Sequence, residues 1–137
     1  LATADKAMYE TVAVPLGYAA DINYLTQAIR INYYQAATSY DSLPQANAFL
    51  ANISNNVEAL QNVMDAYEGT IIDDVDRKNW LAMQDAIDEY TATESDYRQI
   101  IASGNHQVIK EFVYVDMKEV IGKLGEARQE LVDYTVG

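Results

Sequence analysis

Trp80, Met83, Ile87, Tyr90, Glu94, Tyr97 and Ile101 step along the chain at spacings of 3, 4, 3, 4, 3 and 4. On an α-helix such a series forms one stripe, and a stripe of this kind is the seam along which helices pack into a bundle. Six of the seven are apolar or aromatic and one, Glu94, is a carboxylate. The regular members predict a helical bundle. The irregular member marks a level where the core has a polar neighbour.

The same alternation recurs along the chain. A first segment from about Asp5 to Ser39 carries Val12, Leu16, Ala19, Ile22, Leu25, Ile29, Tyr33 and Ala36 on its apolar face, with Pro15 expected to kink or restart the helix near Val14. Ser42-Leu43-Pro44-Gln45 reads as a capping box opening a second helix. That segment carries Ala46, Leu50, Ile53, Val57, Leu60, Met64, Tyr67 and Ile71 on its face, and its helix is expected to end near Glu68-Gly69. Asp73, Asp74 and Asp76 suit the positive end of a third helix, which Ser103-Gly104 terminates. Asn105 can cap a fourth, with Ile109, Val113, Met117, Val120, Leu124, Ala127 and Leu131 facing inward. The expected fold class is all-α, an antiparallel up-down-up-down four-helix bundle. It forms one domain over 1–137, with helices at about 5–40, 43–68, 74–103 and 106–135. Both chain ends then leave from the same end of a rod roughly 45–50 Å long, a geometry that suits a domain held between two membrane spans and that cytoplasmic bundles share.

Composition removes several classes of function. Asp and Glu outnumber Lys and Arg 21 to 9, and the net charge of −12 repels phosphate backbones, so nucleic acid is not an expected partner. No cysteine is present, which excludes thiolate metal sites, thiol nucleophiles and c-type haem attachment. His106 is the only histidine, so the Glu-x-x-His pairs of a di-iron bundle are absent. Asp73, Asp74 and Asp76 lack the glycine and distal glutamate of an EF-hand loop, and helix capping explains them. No enzyme, metal or cofactor is expected. No apolar run reaches the ~18 residues that cross a bilayer.

Four sets of residues are candidates for function. Glu94 on the seam needs a cation, hydrogen bonds or a proton if it is buried, or else reaches solvent from the rim. Arg30, about ten residues from the far end, is placed by an antiparallel count near Glu94, Tyr97 and Tyr114. It either captures a carboxylate ligand, pairs with Glu94, or stands on the surface. Tyr33, Tyr34 and Arg98 fall near the same level. Eleven tyrosines against two phenylalanines suit either a polar pocket or seam edges where the hydroxyl reaches water. Gly122 and Gly125 sit mid-helix at a cost of about 1 kcal/mol each relative to alanine and are expected to face Ala19 and Ala20, either for close backbone approach, as between two protomers, or as a tolerated weak spot.

Tyr9, Val14-Pro15-Leu16, Asp21-Ile22, Arg30 and Asn32, followed later by Ile100-Ile101-Ala102-Ser103-Gly104-Asn105, resemble the four-helix-bundle ligand-binding domain of bacterial methyl-accepting chemotaxis proteins. The resemblance implies an extracytoplasmic (periplasmic or extracellular) domain between two transmembrane helices. It further implies a parallel homodimer through the first and last helices, with a small molecule bound in the half away from the membrane. The first-helix arginine of that family falls on Arg30. Ile31, Asn32, Tyr33 and Tyr34 follow it, so the paired arginines of the aspartate- and serine-sensing members have no convincing counterpart. The expected ligand is therefore a small organic acid anchored by Arg30. Tyr33, Tyr34, Tyr97 and Tyr114 would line the site, and Glu94 and Arg98 would tune its charge. The same bundle would serve the sensor of a two-component histidine kinase, or a structural bundle with no ligand.

Overall fold

A computed structural model describes residues 2–137. Among them the helices run α1 (Ala2–Met8), α2 (Val14–Thr38), α3 (Leu43–Glu68), α4 (Asp74–Ala102), α5 (His106–Glu111) and α6 (Lys118–Val136). Two π turns, Tyr9–Ala13 and Phe112–Asp116, join α1 to α2 and α5 to α6, so the chain folds as four antiparallel rods. Helix α2 packs on α3 and α6, and α4 packs on α3 and α6, closing a ring around one core.

The core follows from spacing. In α2 Ala19, Ile22, Thr26, Ile29, Tyr33 and Ala36 are buried, again alternating by 3 and 4, and Pro15 and Ala37 are buried as well. Thr26 takes a core position because its hydroxyl donates to the Ile22 carbonyl at 2.7 Å, leaving its methyl to pack. Every apolar member of the α4 stripe is buried, and the Trp80 indole N–H donates to the Met64 carbonyl at 2.8 Å, fastening α4 to α3.

The two π turns have different causes. Pro15 has no N–H and its ring crowds the carbonyl one turn back, and the widened Tyr9–Ala13 turn relieves both; this is the interruption expected near Val14. It turns Pro15 inward and leaves Val12 and Leu16, expected on the core face, exposed. Phe112–Asp116 contains neither proline nor glycine. Here Ile109, Val113 and Met117, each four residues from the next, are all buried. A 3.6-residue turn would swing them progressively off the core, and one widened turn, with Met117 N–H donating to the Phe112 carbonyl at 2.8 Å, brings them back.

Helix ends are set locally. Asp73 caps α4 by accepting from the Asp76 N–H at 2.8 Å, and Asn105 caps α5 by accepting from the Val108 N–H at 3.2 Å. Gly104 has φ of 64°, the left-handed region in which glycine ends helices. The Ser42 capping box does not form: Ser42 makes no side-chain bond, and Pro44 at the head of α3 leaves one fewer backbone donor to cap. At the end that carries both termini, Thr11, Val12, Tyr134 and Thr135 border one cleft. At the far end, Tyr40 stacks on His106 with ring centroids 3.9 Å apart.

Candidate functional site

The two faces of the bundle that flank α2 differ in chemistry. Between α2 and α3–α4 lies an aromatic core: Tyr33 and Tyr97 stack at 4.4 Å, Tyr90 meets Tyr33 edge-on at 6.2 Å, and the Tyr97 hydroxyl donates to the Tyr33 carbonyl. The hydroxyls of Tyr33 and Tyr90 are buried without a protein partner. Burial raises the ionisation of all three phenols far above the ordinary value. The neighbouring phenols reinforce this at Tyr33, and the Glu94 carboxylate does so at Tyr90.

At the outer edge of that core, Glu94 is neither alone nor paired with Arg30. Arg98 donates to Glu94 Oε1 at 3.0 Å, to the Leu50 carbonyl at 3.1 Å and to Ser54 Oγ. The pair lies one turn apart on α4, and its cation reaches α3, so it ties two helices together.

Between α2 and α6 runs a groove of about 580 Å³. At its far end Tyr34 and Tyr114 stack with centroids 5.9 Å apart, and the Arg30 guanidinium lies 6.0 Å from the Tyr34 ring centre. Its floor includes Ile29 and Leu124, both buried, and Gly122 and Gly125, where an added Cβ meets nothing within 4 Å. Those glycines border Thr26 and Gln27, nearer the far end than Ala19 and Ala20, against which sequence counting set them. At the other end of the groove, Arg128 donates to Asn23 Oδ1 at 2.6 Å while its Nε is buried without a partner.

The groove is cationic on an acidic chain. Of nine Lys and Arg residues, Lys6, Arg77, Arg98 and Lys123 are in ion pairs among the described residues. Of the remaining cations, Arg30, Lys118 and Arg128 all line this groove, opposed there by one carboxylate, Glu126. Arg supplies a planar fork that fits a carboxylate.

The seven residues singled out from the sequence therefore separate. Arg30, Tyr34 and Tyr114 share the groove. Tyr33 and Tyr97 are in the core, and Glu94 and Arg98 are on the α3–α4 side. Lys118 and Arg128 were not anticipated. A signal for them existed: Lys118, Gly122 and Gly125 are spaced 4 and 3 on one helix face, and Arg128 follows three residues on.

A family model described as a four helix bundle sensory module for signal transduction matches residues 1–136. The chain belongs to this family. The match spans all four rods of the sensory module, including both walls of the groove. No curated protein and no solved structure matches the chain.

Proposed function

We propose that this sensory module is the extracytoplasmic ligand-sensing domain of a transmembrane chemoreceptor, without catalytic activity of its own. It binds a small organic acid in the α2–α6 groove. The observation that carries this reading is the gathering of Arg30, Lys118 and Arg128, none of them in an ion pair among the described residues, around one groove of a chain with net charge −12. Arg30 is the anion anchor, with Tyr34 and Tyr114 as its aromatic wall. Tyr33, Tyr97, Glu94 and Arg98 support the wall from the core side rather than touching ligand.

The groove lies where binding can become signal. A ligand alters an equilibrium only by binding two states differently, and this one would touch α6, the helix leading out of the domain at its terminal end. A homodimer through the first and last helices would use the surface beside the groove. Tyr24 is 71% exposed and Ile31 56%, and with Leu16 they form an outward stripe beside Gln27 and Arg30. With both termini at one end, the domain suits a position between two membrane-spanning segments, on the outer side of the membrane. The same geometry would serve the sensor of a histidine kinase, which the sequence flanking the domain distinguishes.

The test is a thermal-shift screen of the purified domain against organic, amino and aromatic acids near neutral pH. A ligand at 100 times its Kd stabilises the fold by about 2.7 kcal/mol, a rise of several degrees for a domain of this size. The expected result is a carboxylate hit that Arg30→Ala abolishes. No shift with any acid, from a domain shown to be folded, overturns direct sensing.

A further inference from the structure

We infer that the groove takes an elongated, flat, largely apolar dianion, an aromatic dicarboxylate rather than a short aliphatic one. This rests on the reading of the groove as an anion site. Its cations stand at two poles. Arg30 and Lys118 flank the Tyr34–Tyr114 end, while Arg128 is held at the other by Asn23, which lies seven residues before Arg30 on α2. At 1.5 Å per residue that is a separation of about 10 Å along the helix, too long for one carboxylate to touch both ends.

Between the poles the polar members of the lining are Thr26, Gln27 and the Glu126 carboxylate, and the floor itself is apolar. Ile29 and Leu124 form the floor, and Gly122 and Gly125 leave it without side chains over almost a full turn of α6. A glycine pair in a helix costs stability, and within one copy of the chain a Cβ at either position meets nothing within 4 Å. The space they leave is open to the groove and suits a flat ring system, with the tyrosine pair continuing the aromatic surface. A chain the size of succinate would reach one pole and leave the floor wet. Arg128 strengthens the case: it lines the groove, and its bond to Asn23 uses one of its five guanidinium N–H donors.

The experiment is isothermal titration calorimetry of the purified domain with three probes: naphthalene-2,6-dicarboxylate, 2-naphthoate and succinate. The dicarboxylate is expected to bind about tenfold or more tighter than 2-naphthoate, the range of one charge-assisted hydrogen bond, and succinate more weakly than either. Arg128→Met should weaken the dicarboxylate about tenfold or more and 2-naphthoate by much less, bringing the two affinities together. Gly125→Leu should abolish binding of both aromatic acids, with an unfolding temperature equal to or above that of the parent.

Several outcomes overturn the inference. Succinate binding as tightly as the naphthalene acids, and lost in Arg30→Ala, leaves the anion site standing and removes its aromatic ligand class. Naphthalene binding that survives Gly125→Leu places the acid elsewhere on the molecule. If Gly125→Leu converts a dimer to a monomer in sedimentation while no acid binds the parent, a second copy of the chain fills the groove. Silence of all three probes in a folded domain removes both the inference and the anion-site reading beneath it.

Discussion

Tyr33 and Tyr97 occupy neighbouring positions in one stack, yet their hydroxyls have opposite energetic signs. The Tyr97 hydroxyl donates to a buried carbonyl, whereas the Tyr33 hydroxyl is buried without a protein partner. Tyr97→Phe is therefore expected to cost about 0.5–1.5 kcal/mol through loss of that bond. Tyr33→Phe removes an unsatisfied group at constant ring packing and is expected to be neutral or stabilising. Urea unfolding of the two variants checks the contrast. The same burial gives the domain an alkaline limit. Tyr33, Tyr90 and Tyr97 ionise in the folded chain far above the value of 10.0 they have when unfolded. Below pH 10 both states hold these protons and the contribution to stability is fully present. Above it the unfolded chain binds fewer protons, so stability falls as pH rises, by about 1.4 kcal/mol per pH unit for each phenol. Denaturation midpoints between pH 8 and 11 should be flat, then drop. Glu94 shows what spacing alone conveys: its place on the seam was plain, but its partner Arg98 one turn away reaches α3 atoms that no periodicity names.

At the scale of the element, α6 carries a deliberate weakness. Gly122→Ala and Gly125→Ala each add helix propensity and a Cβ that meets nothing, so each is expected to raise stability by about 0.5–1 kcal/mol, read as a higher unfolding temperature. In the far-end loop, Asn105→Ala should lower stability by about 1 kcal/mol through loss of the bond to the Val108 N–H. Caps of this kind were legible at Asp73 and Asn105 because donor and acceptor lie three residues apart. The Ser42 box, which rests on the same local logic, fails where Pro44 changes the donors available. The π turn at Phe112–Asp116 lies between these cases. Its cause, three buried residues four apart, is written in the sequence, but only the presence of a core to pack against makes a widened turn better than a rotated helix.

At the scale of the whole molecule, a net charge of −12 on 137 residues makes the folded state repel itself. Exposed ion pairs such as Lys123 with Glu89 at 3.6 Å and Glu119 at 3.5 Å offset little of it. Added salt is therefore expected to raise the unfolding temperature between about 0.01 and 0.15 M, where the Debye length shrinks from about 30 to 8 Å. A decrease over that range would show that attractive pairs outweigh the net repulsion.

The sequence by itself determined the all-α bundle, its seams and its helix caps at Asp73 and Asn105, because each depends on residues within a turn or two of one another. It also determined the family, through motifs concentrated in the first rod, and it singled out Arg30. What only the tertiary structure decided is which face of α2 each candidate serves. Tyr33 and Tyr34 are adjacent in the chain, yet an advance of 100° per residue sends the first into the core and the second to the groove. Lys118 and Arg128 join Arg30 only through the register of α6 against α2, set by packing between rods distant in sequence. That register is where the candidate site is made.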